Sequence, residues 1–270
     1  EQNHAESKTL LPNYNHPQFD LDPLELFSRY ESILRQARLL VGMPSAARAV
    51  FEGAQGMLLD EWYGFHPHTT WSDTTFANAE RMLRGLYADV IKIGVLRSYM
   101  TRHGEGPFPS ASQSLTVQLR EYEQHNRNDG QQGAMRYGFL DAILLRYALE
   151  ALGGVDYLAL TCLDQRASTD WPVVTSYTQP GVPAILKKLR VNRTRDLKYQ
   201  ETLTHLLDRV VPWATHYQSG LKDFLEKTLG ILVGIASYGR SAGDKKFSKA
   251  LDEAASLEAA CVKNALHNER

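Results

Sequence analysis

Cysteine is scarce in this chain: Cys162 and Cys261 are the only two in 270 residues. Two thiols cannot form a disulfide framework for a fold of this length, so a reducing cytosol and a cytoplasmic location are expected. Long apolar runs are missing too. No stretch reaches the ~20 residues that a membrane-spanning helix needs, and no signal-peptide pattern opens the chain. Nor is there an excess of charge, with Lys+Arg 30 against Asp+Glu 31. A balanced chain lacks the long-range field that draws nucleic acid, so a small anionic ligand held at a local site is the better expectation. Metal patterns are equally thin. His66, His68 and His103 form a His-Pro-His step plus one distant histidine, without a fourth ligand or a recognised zinc spacing, so no protein-held metal is expected.

What is present fits a globular α/β protein. A hydrophobic share of 43% in 270 residues can bury one sizeable core, or one domain with an appended subdomain. Residues 1–21 are polar and without apolar period, a tail or linker. The main domain is expected over 22–243, and 244–270 as an amphipathic helical extension starting near the solvated Lys245 and Lys246. Asp22 can cap a first helix, with Pro23 in its first turn, Glu25 closing a capping box, Leu26, Tyr30, Ile33, Ala37 and Leu40 on one face, and Gly42 ending it. Further helices are expected over 77–87, 115–123, 139–152, 203–213 and 220–229. Buried strands are expected over 48–52, 90–96, 155–161 and 231–237, with a loop over 126–132. Helices alternating with fully apolar strands predict a mainly parallel sheet flanked by helices, and the proline-bearing 166–200 stretch predicts a small antiparallel excursion.

The most informative segment is Phe51-Glu-Gly-Ala-Gln-Gly-Met-Leu-Leu-Asp60, a short apolar stretch running into a turn with two glycines around one amide. Gly53 and Gly56 allow close approach to an anion or sugar and positive φ, while Gln55 offers a donor and an acceptor to a purine edge. Downstream follow Thr69-Thr-Trp-Ser-Asp-Thr-Thr75, Thr101-Arg-His-Gly-Glu-Gly-Pro-Phe-Pro109, Arg136-Tyr-Gly-Phe-Leu-Asp141 and Leu158-Ala-Leu-Thr-Cys-Leu-Asp164. The run 239–246 resembles a phosphate loop only faintly, without the spacing or the Lys-Ser/Thr ending.

In this order the motifs resemble the adenylosuccinate synthetase family, whose members show FEGAQGTLLD, a TSSNTT-like stretch, TRVGxGPFP, RRxGWLD and LTKLD; the resemblance spans residues 22–240. It implies a ligase that phosphorylates the 6-oxygen of IMP with GTP and displaces that phosphate with the amine of L-aspartate, using Mg2+, as a homodimer. It also implies residue roles. Gln55 aligns the purine as a catalytic residue within a nucleotide site of Gly53, Leu59, Thr70 and His103, with Thr70 on the 5′-phosphate and Leu59 beside the ribose or base. Arg136 stands where the family grips the aspartate carboxylates, and is the one arginine surviving there. Asp164, with Ser237 and Gly239, matches the residues that read the guanine of GTP.

Departures cluster at base reading: His103 replaces a valine, Cys162 a lysine and Arg240 a proline. They leave ATP open as the donor. They also leave open a phage-type 2-aminoadenylosuccinate synthetase acting on dGMP, and a non-catalytic purine-nucleotide-binding or regulatory protein. The family's GDEGKG phosphate loop and GHT segment, which carry the catalytic aspartate, the acid and a magnesium ligand, have no match in residues 1–270. The 270-residue polypeptide by itself is therefore expected to make no adenylosuccinate from IMP, aspartate and GTP. Turnover in a coupled assay of the purified chain would refute this.

Overall fold

A computed structural model of the chain describes residues 22–36, 49–84, 89–120, 133–166, 171–217 and 220–256. The chain divides into two units, Glu1–Arg48 and Ala49–Arg270. In the first, helix α1 (Pro23–Gln36) starts as expected: the Asp22 carboxylate accepts the Leu24 N–H at 2.9 Å. Glu25 is engaged by Arg29 at 2.6 Å, an i,i+4 pair, rather than closing a capping box. The expected helix end at Gly42 lies outside the described residues.

The second unit is built on a sheet in which β1 (Ile93–Arg97), β5 (Tyr157–Thr161), β9 (Val233–Ser237) and β10 (Lys245–Phe247) lie in that order, the first three parallel. Near-continuous apolar strands such as Tyr157-Leu-Ala-Leu-Thr161 suit a sheet covered on its faces. Leu158, Leu160 and Val233 form one buried cluster with Leu221 and Leu225 of α6 (Leu221–Leu229) and Ala142 of α4 (Ala142–Leu152). Truncating a fully buried leucine such as Leu225 to alanine costs ~2–5 kcal/mol. The other side of α4, with Ile143, Leu144 and Tyr147, packs on Phe65, Val174, Tyr177, Leu203 and Leu207. The fold is thus α/β with a mainly parallel sheet flanked by helices.

The antiparallel excursion is real: β6 (Val173–Gln179) pairs antiparallel with β7 (Val182–Leu186) and with β8 (Val211–Thr215). A separate ribbon joins β2 (Met100–His103) to β3 (Met135–Gly138), backed by α3 (Gln113–Arg120).

Several expected elements shift. Residues 49–52 form no strand: Val50 is 93% exposed, so nothing there recovers the cost of ordering an extended segment. The helix expected over 77–87 is the short α2 (Ala77–Met82), and residues 85–88 lie outside the description, as does the loop at 126–132. The helix expected over 203–213 is α5 (Leu197–Leu207), capped by Asp196, and Pro212 sits in β8, where a missing N–H is tolerated near a sheet edge. The stretch after Asp244 begins as β10 (Lys245–Phe247), antiparallel to β9, with helix over 249–256. Lys245 and Lys246 are therefore strand residues, not a helix start.

Helix α4 begins at its Asp141 cap rather than at 139, because Leu140 and Asp141 (β4) pair with Val173 and Val174. The buried Asp141 carboxylate accepts from the Ile143 and Leu144 N–H groups at 3.0 and 3.2 Å and from the Tyr177 hydroxyl at 2.5 Å. Burial outweighs these three donors and pushes its pKa up to about 6. A raised folded pKa favours the protonated acid in the native state, so this contribution is complete below the unfolded value of 3.8 and is lost as pH rises through about 6. Asp141→Asn mimics the protonated acid without titrating. Relative to wild type it should be equally stable at pH 4 and more stable above pH ~7, by on the order of 2–3 kcal/mol. Denaturant unfolding of both proteins across this range checks the crossing trend, and parallel pH profiles would refute it.

Candidate nucleotide site

The glycine turn and the threonine-rich segment are one structure, joined by a buried carboxylate. Met57–Leu59 form a single 3-10 turn, closed by the Leu59 N–H on the Gly56 carbonyl at 2.9 Å. Asp60 follows, buried to 1% exposure. Its Oδ1 accepts the Trp62 and Tyr63 N–H groups at 2.9 and 3.1 Å, and its Oδ2 accepts the Thr74 N–H at 2.8 Å. The Thr70 N–H donates to the Leu59 carbonyl at 2.8 Å. Gln55, Leu59 and Thr70 are thereby brought together. The link is direct on the side-chain side as well: the Ser72 hydroxyl lies 3.0 Å from Gln55 Oε1 and 3.3 Å from Thr70 Oγ1.

The backbone freedom expected of the two glycines falls on the residue between them. Gln55 has φ of 69°, whereas Gly56 is extended at φ of −92° and Gly53 is not in the left-handed region. A Cβ at Gly53 or Gly56 would meet nothing within 4 Å, so both border open space. A left-handed glutamine costs ~1–2 kcal/mol and is a signature of a site shaped for something other than stability.

His68 connects this region to the β2–β3 ribbon. Arg102 donates from Nη2 to the His68 carbonyl and from Nε to the Glu105 carbonyl, both at 2.9 Å. Directly across the ladder stands Arg136, whose Nη2 donates to the Gly104 and Gly106 carbonyls at 2.7 and 2.8 Å and whose guanidinium lies over the Phe108 ring. Burial, then the neighbouring Arg136 charge, brings the Arg102 pKa down to about 10; burial also lowers that of Arg136, against Glu105 and Asp208. Arg136 Nε is buried without a hydrogen-bond partner. His103, half-buried, is the last residue of β2, opposite Met135. Among the described residues no group of three or more His, Cys, Asp and Glu could hold a metal ion.

The remaining expected residues gather at the carboxyl ends of the parallel strands, the crevice where open α/β sheets hold ligands. After β5 the chain turns through Cys162 at φ of 59°, and the Leu163 N–H donates to the Ser237 carbonyl at 3.1 Å. Asp164 follows, exposed, accepting from the Gln165 amide at 2.7 Å. Beside it the Gly239 carbonyl accepts from the Ser237 hydroxyl at 3.2 Å and from Lys245 Nζ at 2.7 Å. A Cβ at Gly239 would sit 2.4 Å from Asp244 Oδ2, so any other residue there would displace that carboxylate. Asp164, Ser237 and Gly239 thus form a second group, distinct from the one around Gln55.

Three structural residues escaped the sequence reading: Asp60, Ser72 and Arg102. Each lies inside a quoted motif, but only the folded contacts show what it holds. Because the left-handed strain sits at Gln55, Gln55→Gly should be more stable than Gln55→Ala by about 1 kcal/mol, although neither retains the amide. Thermal unfolding of the two variants measures it, and equal midpoints would mean that position 55 carries no strain.

A family model described as adenylosuccinate synthetase matches residues 24–240. The adenylosuccinate synthetase of Bdellovibrio bacteriovorus is 28% identical over 214 residues, covering 73% of this chain and 47% of the relative. That of Chlorobium phaeobacteroides is 32% identical over 187 residues, covering 66% and 43%. The chain therefore spans about half the length of the curated relatives it matches. Among solved structures, the fully ligated adenylosuccinate synthetase from Plasmodium falciparum has the same fold, with a TM-score of 0.63 at 19% identity over 92% of this chain and 62% of that one. With a family model aligned across the parallel sheet, the glycine turn and the strand-end crevice, the chain belongs to the adenylosuccinate synthetase family.

Proposed function

We propose that this chain carries the nucleotide-reading part of an adenylosuccinate-synthetase-type ligase of purine biosynthesis, in which L-aspartate is joined to a 6-oxopurine nucleotide at the expense of a nucleoside triphosphate. The observation that carries the proposal is the junction of the glycine turn with the 69–75 segment. It puts the Gln55 amide and the Thr70 hydroxyl on one open surface, bridged by Ser72. In this reading Gln55 meets the purine, Gly53 and Leu59 flank the sugar, His103 lies near the base and Thr70 donates to the 5′-phosphate.

Opposed arginines give the aspartate reading its physical basis. Like charges directly across a ladder repel, and the Arg136 charge adds to the burial that lowers the Arg102 pKa, so a dicarboxylate ligand at this pair would relieve that repulsion. For the triphosphate, Asp164 would accept from guanine N1–H and its amino group, two donors that adenine does not present, with Ser237 and Gly239 shaping the crevice. Cys162 and Arg240 change the flanks of that base, so ATP remains the competing donor. The described residues offer no group of three or more His, Cys, Asp and Glu fit to cage the magnesium ion that the family implies. A homodimer and a cytoplasmic setting belong to the same proposal.

Isothermal titration of the full chain with IMP, GMP and dGMP, alongside Gln55→Ala, tests the central claim. Wild type should bind at least one 6-oxopurine monophosphate, and the variant should lose about tenfold in affinity, the worth of one or two neutral hydrogen bonds. An unchanged affinity in the variant, or no binding to wild type, refutes it.

A further inference from the structure

Helix α5 brings a carboxylate to the arginine pair. Gln200, Thr204 and its C-cap Asp208 follow one another at four-residue steps, so they share one face of the helix. Gln200 and Thr204 are buried, and the Thr204 hydroxyl donates to the His66 carbonyl at 2.8 Å. Two residues on, the His68 carbonyl accepts from Arg102 Nη2 at 2.9 Å. This face therefore meets the segment to which Arg102 is tied, and Arg136 lies directly across the ladder from Arg102. Asp208 closes the row as its exposed member, its own N–H on the Thr204 carbonyl at 3.0 Å.

The Asp208 charge reaches both guanidinium groups, opposing the fall in each pKa, whereas Glu105 acts on Arg136. Among the described residues, however, Asp208 is ion-paired with neither arginine. Nor does the helix account for it, since a negative charge at a helix C-terminus is opposed by the macrodipole. Cations and a carboxylate that feel one another without touching frame a gap suited to a ligand that carries both charges. Donors remain on the cationic side: Arg136 Nε is buried without a partner, and the bonds to the His68, Gly104, Glu105 and Gly106 carbonyls use only Nε and Nη2 of Arg102 and Nη2 of Arg136.

We propose that Asp208 is a specificity-determining residue that accepts from the α-ammonium of an amino dicarboxylic acid whose carboxylates lie on Arg102 and Arg136. This rests on the reading of that pair as the aspartate site. A dicarboxylate without the amino group would leave Asp208 facing only like charge, so the residue both holds the right ligand and repels the wrong one.

Isothermal titration of the full chain with L-aspartate and with succinate, the same dicarboxylate without the amino group, tests this on wild type, Asp208→Asn, Glu105→Gln and Arg136→Gln. Wild type should prefer L-aspartate. Asp208→Asn should lose about tenfold or more of that preference, the worth of one charge-assisted hydrogen bond, with succinate held as well as before or better. Glu105→Gln should keep it. No preference in wild type, a preference unchanged in Asp208→Asn, or one lost in Glu105→Gln instead overturns the proposal. So does an equal loss of both ligands in Asp208→Asn, which marks a merely structural carboxylate. If wild type binds neither ligand, or Arg136→Gln binds both undiminished, the reading of the arginine pair falls and this inference with it; if Arg136→Gln loses both while Asp208→Asn keeps the preference, only the role of Asp208 is wrong.

Discussion

The surface proposed to meet the purine nucleotide depends on one buried carboxylate. Asp60 closes the glycine-turn segment and accepts three backbone N–H groups, two from the residues just after it and one from Thr74 across the loop. A peptide N–H left buried without a partner costs ~1–3 kcal/mol, so three of them make this junction the strongest local reason for residues 53–75 to hold one shape. The charge is affordable there because each donor is a fixed backbone dipole needing no side-chain ordering. The 61–68 stretch, in turn, is anchored to the core by Phe65 stacked on Tyr147, and by the Tyr147 hydroxyl on the Tyr63 carbonyl. The proposed nucleotide surface is therefore loop-borne yet firmly mounted on the core, which lets a polar, open turn keep a left-handed glutamine.

The sequence was legible where one physical requirement dominated. Strands β5 and β9 were readable because burial in a parallel sheet demands near-continuous apolar residues, and α4 because Gly153 at φ of 80° ends it as glycine usually does. The apolar run of β1 gave the strand but not the expected burial, since Val95 is 73% exposed. It misled where two requirements competed. The apolar period over 203–213 was helical only as far as Leu207; beyond it, pairing with β6 won and Pro212 marked the change. Lys245 and Lys246 looked like a solvated helix start, yet Lys245 is turned inward to two carbonyls. Charge patterns report solvent, and pairing partners far along the chain override them.

For the site, residue type was legible and conformation was not. Two glycines around Gln55 announced an unusual turn, but the left-handed backbone falls on Gln55 itself, whose amide meets Ser72, 17 positions away. In the same way Arg136 could be picked out by its motif, while its apposition to Arg102 arises from the β2–β3 register.

One contact at the far end of the sheet reaches beyond ligand binding. Gly239 lies so close to the Asp244 carboxylate that an added Cβ would have to displace it, and Asp244 in turn holds the Ser241 N–H at 2.8 Å, just before the chain enters β10. β10 is what covers β9, and β9 would otherwise present a bare row of hydrogen-bonding groups to solvent. The smallest residue in the turn thus leaves room for the carboxylate at the foot of the covering strand: a methyl group at position 239 would push the Asp244 carboxylate aside and cost the Ser241 N–H its acceptor.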